Sequence, residues 1–538
     1  MSVTAAATLA AAAGCVSALG DPSSPGSGSP GSPAAGAASG SLASTPPTQP
    51  AAQLSQAQVS GALAQLDGVV QNAMQHTGVP GVAVGVVYQD KAVYTKGFGV
   101  RQVGKPDQVD ADTVFQLASV SKPLSSTVVA QAVGQKVVGW DNPVVGYDPG
   151  FALKDPYVTA NVTVADLFSH RSGLPDHAGD LLEDLGYDAG YITSHLRLEP
   201  LSPFRASYAY TNYGLSEAGF AVADADKTTW PDLAANAVFK PLGMNHSSFR
   251  RADYDQAGDK ASAHVQVNGQ WQVSTTENAD SQAPAGGASS TVNDMTNWMR
   301  LQIDNGSFGG KQVVDPAALD QTRVPHSISN PPRSSDAAPQ FYGLGWNVTY
   351  DDHGRLRLSH SGGFELGAAT TVYLLPTEQL GIVVLTNGAP IGVPEAIANS
   401  FLDIAQNGRQ TVDWLTFYGG LFQAVNSAGT SPTDYGKPPA SPQPAKAAGA
   451  YTGTYTNDFY GPATVTDTGN GQLALVLGPQ QQTFPLTHYT GDTFSYQTKG
   501  ENAVGLSGVT FHPGSNGTSG TVTIENLDTT GLGTFNRS

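Results

Sequence analysis

A single cysteine, Cys15, stands in a chain of 538 residues, so no internal disulfide framework can form. Basic residues are few. The 26 Lys and Arg face 44 Asp and Glu, the formal net charge is -18, and the first Lys or Arg is Lys91. That balance argues against nucleic acid and against anionic membrane surfaces as electrostatic partners. Beyond the N-terminus no uninterrupted apolar run approaches the length of a membrane span. No Gly-x-Ser-x-Gly occurs, which leaves an α/β-hydrolase elbow unsupported. No His-Glu-x-x-His or spaced Cys/His cluster occurs either, so neither a metal nor a cofactor is expected.

The chain does have the length for more than one domain, and its hydrophobic content of 40% is enough to bury a core. Residues 1–52 read as a separate object. Ala5 to Gly14 is Ala-rich and mildly apolar, Cys15 follows, and Gly, Ser, Pro and Ala dominate up to Ala52. Such a composition cannot bury enough apolar surface to fold and behaves as a tether. The order resembles a bacterial lipoprotein leader with Ala12-Ala13-Gly14-Cys15 as its cleavage box, the alternative being Ala-rich low complexity. The leader reading implies an extracytoplasmic protein, secreted or lipid-anchored in a bacterial envelope, with Cys15 as a membrane tether.

A helix is expected from about Ser55 to His76, closed by Gly78, and then a hairpin of Val82–Tyr88 and Ala92–Phe98 around Gln89-Asp90-Lys91. Ser119 opens a further helix. Helix signals recur at Val164–Ser169, Gly214–Asp224, Val292–Asp304 and Pro394–Ala405, and strand character at Arg355–Ser359, Ala368–Leu375 and Leu380–Leu385. Strands at both ends with helices between suit an α+β fold: one antiparallel sheet covered by helices, over residues 53–426. Residues 427–447 read as a Pro-, Ser- and Ala-rich linker. Residues 448–538 carry six short β-like runs with turn signals, as in a small β-barrel or sandwich.

The most informative motif is Ser119-Val120-Ser121-Lys122, the one S-x-x-K of the chain. A serine hydroxyl is a poor nucleophile, and a lysine one helical turn later shares its face. Burial beside cations or donors lowers the amine's pKa and lets it accept the serine proton. Acyl transfer also needs a proton for the leaving group and donors for the oxyanion. Tyr210-Thr211-Asn212 suits the first task, with Tyr210 lowered in pKa by a nearby ammonium and Asn212 binding a substrate amide or orienting the lysine. The triplet recurs as Tyr455-Thr456-Asn457, so only its position gives it weight. His360-Ser361-Gly362-Gly363 ends an alternating, edge-like strand that could line a cleft, and the Gly363 amide could join that of Ser119 as an oxyanion hole. Three other His-x-Gly triplets, at His76, His177 and His512, fall at a helix end, in a loop and in a turn. His170 reads as a structural buttress.

Ser119-x-x-Lys122, Tyr210-x-Asn212 and His360-x-Gly362, in that order, resemble the serine β-lactamase-related hydrolases. That group holds class C β-lactamases, D-alanyl-D-alanine carboxypeptidases, D-aminopeptidases and esterases. Val79–Val84, Leu167–Pro175, Pro241–Met244, Pro284–Gly287 and Tyr342–Trp346 look like the same family, and the C-terminal segment resembles its small lipocalin-like β domain. The resemblance implies the β-lactamase/penicillin-binding-protein fold and an acyl-enzyme on Ser119, with Lys122 and Tyr210 sharing base and acid roles. Asn212, His360, Ser361 and Gly362 would bind substrate. The implied partner is a small molecule or peptide: an amide or ester for a D-peptide peptidase or a carboxylesterase. A weak β-lactamase or a non-catalytic penicillin- or peptidoglycan-binding protein is the alternative, and an oligomer is possible. His360 stands where class C β-lactamases carry a lysine, and it would supply charge to a substrate carboxylate only when protonated.

Overall fold

Capping and turn chemistry set the first elements. The Ser55 hydroxyl accepts from the Gln58 amide and the Gln58 side chain returns to the Ser55 amide, starting α1 (Gln56–Thr77); Gly78, at φ 68°, ends it. β1 (Gly81–Tyr88) and β2 (Lys91–Gly99) follow as a hairpin. Its turn residues Gln89 and Asp90 hold φ of 50° and 56°, the left-handed values that match strand twist in a two-residue turn. The computed structural model describes residues 50–351, 353–514 and 517–538; Cys15 and the leader-like segment lie outside them. No helix among the described residues is long and apolar enough to cross a membrane.

Then come α2 (Ser121–Gly134), α3 (Asn212–Ala225) and α4 (Val292–Ile303), with shorter helices between. β3 (Ser327–Asn330), β4 (Gln340–Tyr342), β5 (Asn347–Tyr350), β6 (Leu356–Phe364), β7 (Ala368–Leu375) and β8 (Leu380–Thr386) return to the sheet. α5 (Val393–Asn407) and α6 (Trp414–Ala428) close this part. The sheet is antiparallel in the order β2-β1-β8-β7-β6-β5-β4-β3, so the two ends of the segment meet inside it as its second and third strands, with Val82 opposite Thr386.

Period-two alternation sends side chains to two cores. Val82, Val84 and Val86 of β1, with Ile382 and Val384 of β8, pack on α1 and α5. Ala83, Val87, Val383 and Leu385 face the helical side that holds α2 and α4. Both faces are covered, which is why β1 and β8 read as unbroken apolar runs. The expected α+β architecture is the observed one. The sheet has three strands, β3 to β5, that the sequence reading lacked, and α6 was not anticipated. Ser119 lies in a tight turn of Ala118–Val120, and the helix itself starts two residues later.

Residues 453–537 form a closed barrel of eight strands, joined to α6 by a stretch with one short helical turn at Ala448–Ala450. Two strands, Gln482–Thr490 and Thr534–Arg537, add to the six β-like runs. Closure leaves no edge to template aggregation. Tyr455, Phe484, Phe494, Tyr496, Phe511 and Phe535 are buried in this unit. It docks on the helical side of the sheet domain: Tyr187 Oη donates to Tyr460 O at 2.8 Å, Tyr191 Oη to Phe459 O at 3.2 Å, and Gln482 Nε2 to Asp184 O at 2.7 Å.

Trp298 of α4 and Trp346 lie fully buried and stacked, with centroids 5.6 Å apart and planes at 5°, and Trp298 Nε1 donates to Thr127 Oγ1 at 3.0 Å. Trp298→Ala empties this contact between sheet and helices. The expected loss is about 3–5 kcal/mol, read as a lower urea midpoint by far-UV circular dichroism; an unchanged midpoint would refute the packing role.

Candidate active site

Ser119 occupies a strained position. Ala118, directly before it, is buried with φ of 47°, a left-handed value that costs energy for a residue with a side chain. The turn presents Ser119 half-exposed at the start of α2, where Lys122 follows one turn on and is buried. The Lys122 Nζ lies 3.0 Å from Ser119 Oγ, 2.7 Å from Asn212 Oδ1 and 3.1 Å from Ala285 O. Tyr210 Oη donates to Ser119 Oγ at 2.8 Å. Ala285 belongs to Pro284–Gly287, which packs along α2; Ser125 Oγ donates to Pro284 O at 2.6 Å and Ser121 Oγ accepts from Ala288 N at 2.9 Å.

β6 supplies the opposite wall. The segment His360–Gly363 does not end this strand and is not at a sheet edge: β6 is internal and runs on to Phe364. β5 pairs only as far as Ser359, however, so from His360 onward one side of the strand is free of a ladder partner and faces the Ser119 turn. Gly362 permits the approach. A Cβ there would stand 2.3 Å from Leu117 O and 2.7 Å from Ser119 N. Ser119, Tyr210, Asn212, His360, Ser361 and Gly363 line one cleft. The structure thus brings together every residue singled out for the site, and Tyr455-Thr456-Asn457 lies away from it in the barrel.

Burial sets the charges. Lys122 has no solvent contact, and desolvation pulls its pKa down to about 7, against the nearby Asp180 carboxylate. Tyr210 was expected to be lowered; instead burial raises it, so its hydroxyl is a firm proton holder and hydrogen-bond donor. His360 was expected to supply positive charge when protonated. It is pushed down to about 3 by burial and by Lys122. Its Nδ1 donates to Ser361 O at 2.7 Å, which leaves Nε2 to accept from Tyr342 Oη at 2.9 Å. The ring is therefore neutral and fixed, and it carries no charge for a substrate carboxylate. His170, fully buried, accepts the Thr211 amide on Nδ1 at 3.1 Å and packs 4.6 Å from the Tyr210 ring, which makes it a brace.

Further cleft residues were not singled out for the site by the sequence, among them His177, which was set aside as a stray His-x-Gly triplet. His177 comes from a turn and Asp180 from the start of the short helix Asp180–Asp184, both well ahead of α3, and Gln282 from the stretch before Pro284. Glu501 and Asn502 come from the barrel. Their loop is held down on both sides. Asp184 accepts from the amides of Glu501 and Asn502, each at 2.9 Å, and the Glu501 carboxylate accepts from the amides of Glu365 and Leu366 at 2.7 and 3.2 Å. Among the described residues no cluster of side chains suits a metal ion.

The fold defines the class first. A solved octameric penicillin-binding protein homologue from Pyrococcus abyssi matches 86% of this chain and 98% of its own, with a TM-score of 0.56 at 18% identity. A class C beta lactamase from Rhodobacter sphaeroides matches 63% and 97%, with a TM-score of 0.52 at 20% identity. The sequence then gives the family: the beta-lactamase profile matches residues 66–406, more than half of the chain, which belongs to that family of serine hydrolases. Residues 437–533 match a domain of unknown function, DUF3471. Among curated relatives, the unguisins hydrolase ungD of Aspergillus violaceofuscus is 25% identical over 79% of this chain and 81% of its own. The Dictyostelium discoideum beta-lactamase-like protein 2 is 25% identical over 60% and 58%.

Two outcomes test this geometry. Gly362→Ala drives a methyl group into the Ser119 backbone; labelling by a fluorophosphonate probe should fall by more than about 100-fold while the fold persists. A neutral His360 also requires parallel pH profiles of kcat/KM for a carboxylate-bearing and an uncharged substrate between about pH 5 and 8. Divergence near pH 6.5, the ordinary imidazole value, would show that the ring titrates.

Proposed function

We propose that this chain hydrolyses amide or ester bonds through an acyl-enzyme on Ser119, as a peptidase on D-amino-acid peptides or a carboxylesterase. The observation that carries the reading is the buried Lys122 amine, 3.0 Å from Ser119 Oγ, with a pKa near 7. At neutral pH a large share of Lys122 is uncharged and can take the serine proton as Oγ attacks the carbonyl carbon. The Ser119 and Gly363 amides would receive the oxyanion. The ammonium proton then passes to the leaving group by way of the Tyr210 hydroxyl, which bridges to Ser119 Oγ. Water enters by the reverse path and frees the acid. Asn212 steadies the lysine, and His360, Ser361 and Gly362 form the wall against which the acyl group lies.

The charge around the cleft favours some branches over others. With His360 neutral, the groups lining the cleft with the serine include Asp180, the His177 imidazole paired with it, and Glu501, whose carboxyl burial pushes well above the ordinary range. A protonated His177 is already paired with Asp180, so it offers a substrate carboxylate little compensation. That supports aminopeptidase-type or ester substrates over penicillins and over peptides with a free C-terminus at this position. An extracytoplasmic location is proposed on the leader-like segment that ends at Cys15.

Intact-mass spectrometry with a fluorophosphonate probe should give one adduct, absent in Ser119→Ala. Turnover of a p-nitrophenyl ester or a D-alanyl p-nitroanilide should rise with pH through about 7, because Lys122 must lose its proton to act. Lys122→Ala should lose roughly 100- to 10,000-fold in kcat/KM. Labelling that survives Ser119→Ala would sink the assignment. A folded protein that turns over no ester or anilide would instead be a binding protein.

A further inference from the structure

His177 and Asp180 line the cleft beside Ser119, yet the chemistry above gives them no task. His177 sits in left-handed backbone at φ 57°, with its amide donating to Tyr210 O at 2.7 Å. Asp180 begins the short helix Asp180–Asp184. Their side chains are 10% and 4% exposed and lie 2.6 Å apart, His177 Nδ1 to Asp180 Oδ2. The same Oδ2 accepts from Asn212 Nδ2 at 2.8 Å. An unbroken polar chain therefore runs from His177 through Asp180, Asn212 and Lys122 to Ser119.

We propose that Asp180 and His177 are positioning residues that lock the Asn212 amide one way round, so that the lone pair of the Lys122 amine can face only Ser119. The proposal rests on the reading of Lys122 as the base. The oxygen and nitrogen of a side-chain amide have nearly the same shape, so a site must choose between two orientations. A carboxylate only accepts; the Asn212 NH2 must face Asp180, and its Oδ1 must face Lys122. The amine then meets two pure acceptors, Asn212 Oδ1 and Ala285 O, and one hydroxyl. Uncharged, it has two N–H groups and one lone pair. The N–H groups go to the two carbonyl oxygens, and the lone pair is left for the Ser119 proton. With Asn212 reversed, its NH2 would occupy that lone pair and disarm the base.

The pair also sets the local charge. Asp180 raises the Lys122 pKa against the lowering by burial, and a protonated His177 offsets Asp180. Other groups face the chain as well. Asp176 accepts the Tyr210 amide, and Glu183, Glu199 and Tyr213 lie within the field of Asp180; burial raises the pKa of all four. His170, His360 and Tyr210 face Lys122 and are uncharged, the histidines because burial lowers them and the tyrosine because burial raises it.

The test is the pH dependence of fluorophosphonate labelling and of neutral-ester turnover in the full chain. His177→Gln keeps a donor for Asp180 but removes the cation, so the acidic limb should move up by about 0.5–1 pH unit. Asp180→Asn removes the anion and frees Asn212, so the limb should move down by about one unit and the plateau should fall at least ~10-fold. Limbs that stay put, or that move the same way in both variants, overturn the proposal. So does an Asp180→Asn plateau equal to that of the unaltered protein. If Asp180→Asn fails to fold by its thermal melt, the His177→Gln limb decides alone, and no upward shift is a refutation. Failure of the underlying reading shows separately, as labelling in Ser119→Ala or as a limb retained in Lys122→Ala.

Discussion

One buried amine organises this molecule. A lysine taken fully out of water would be costly if charged and unpaired, and it settles here by meeting three oxygen atoms while its pKa falls toward neutrality. Much of the surrounding backbone serves that seat. Pro284–Gly287 brings the Ala285 carbonyl to it, and α3 begins at Asn212 so that this side chain reaches it. Gly345, at φ 82°, passes so close that a Cβ would stand 2.7 Å from the Lys122 carbonyl. A charged substrate, a water or a misplaced polar group in this space would reset the amine's proton affinity, which links packing directly to reactivity.

What could be read in the sequence was local. Ser119 and Lys122 are one turn apart, and helical spacing alone puts them together. α1, the first hairpin, β7 and β8 carry their caps, turns and apolar patterns in plain view. Tyr210 and His360 could be singled out only through their order along the chain and the family it resembles. The errors share one cause. Tyr210 and His360 were assigned proton affinities from residue type and an imagined neighbour, whereas burial governs both and pushes them away from neutrality in opposite directions. His177 looked like one of three stray His-x-Gly triplets, because nothing in its neighbourhood says that Asp180 and Asn212 will meet it. Gly419-Gly420 masked α6, and Pro485 masked the barrel strand Gln482–Thr490.

The barrel bears on the site more closely than a tethered module would. Its loop at Glu501 and Asn502 is hydrogen-bonded to Asp184 on one side and to the hairpin after Gly363 on the other, so the cleft has one wall from each unit. Cleft shape therefore depends on a docking contact made by polar groups, alongside the packing of the sheet domain.

That arrangement gives the site a birth order. Translation delivers Ser119, Lys122 and Tyr210 early, but β1 and β2 must wait for β8, some three hundred residues later, before the sheet closes. The last wall arrives with the final strands of the barrel. A nascent chain thus carries Ser119 and Lys122 long before it owns a finished pocket, and the order of synthesis itself delays completion of the cleft until the barrel has been made.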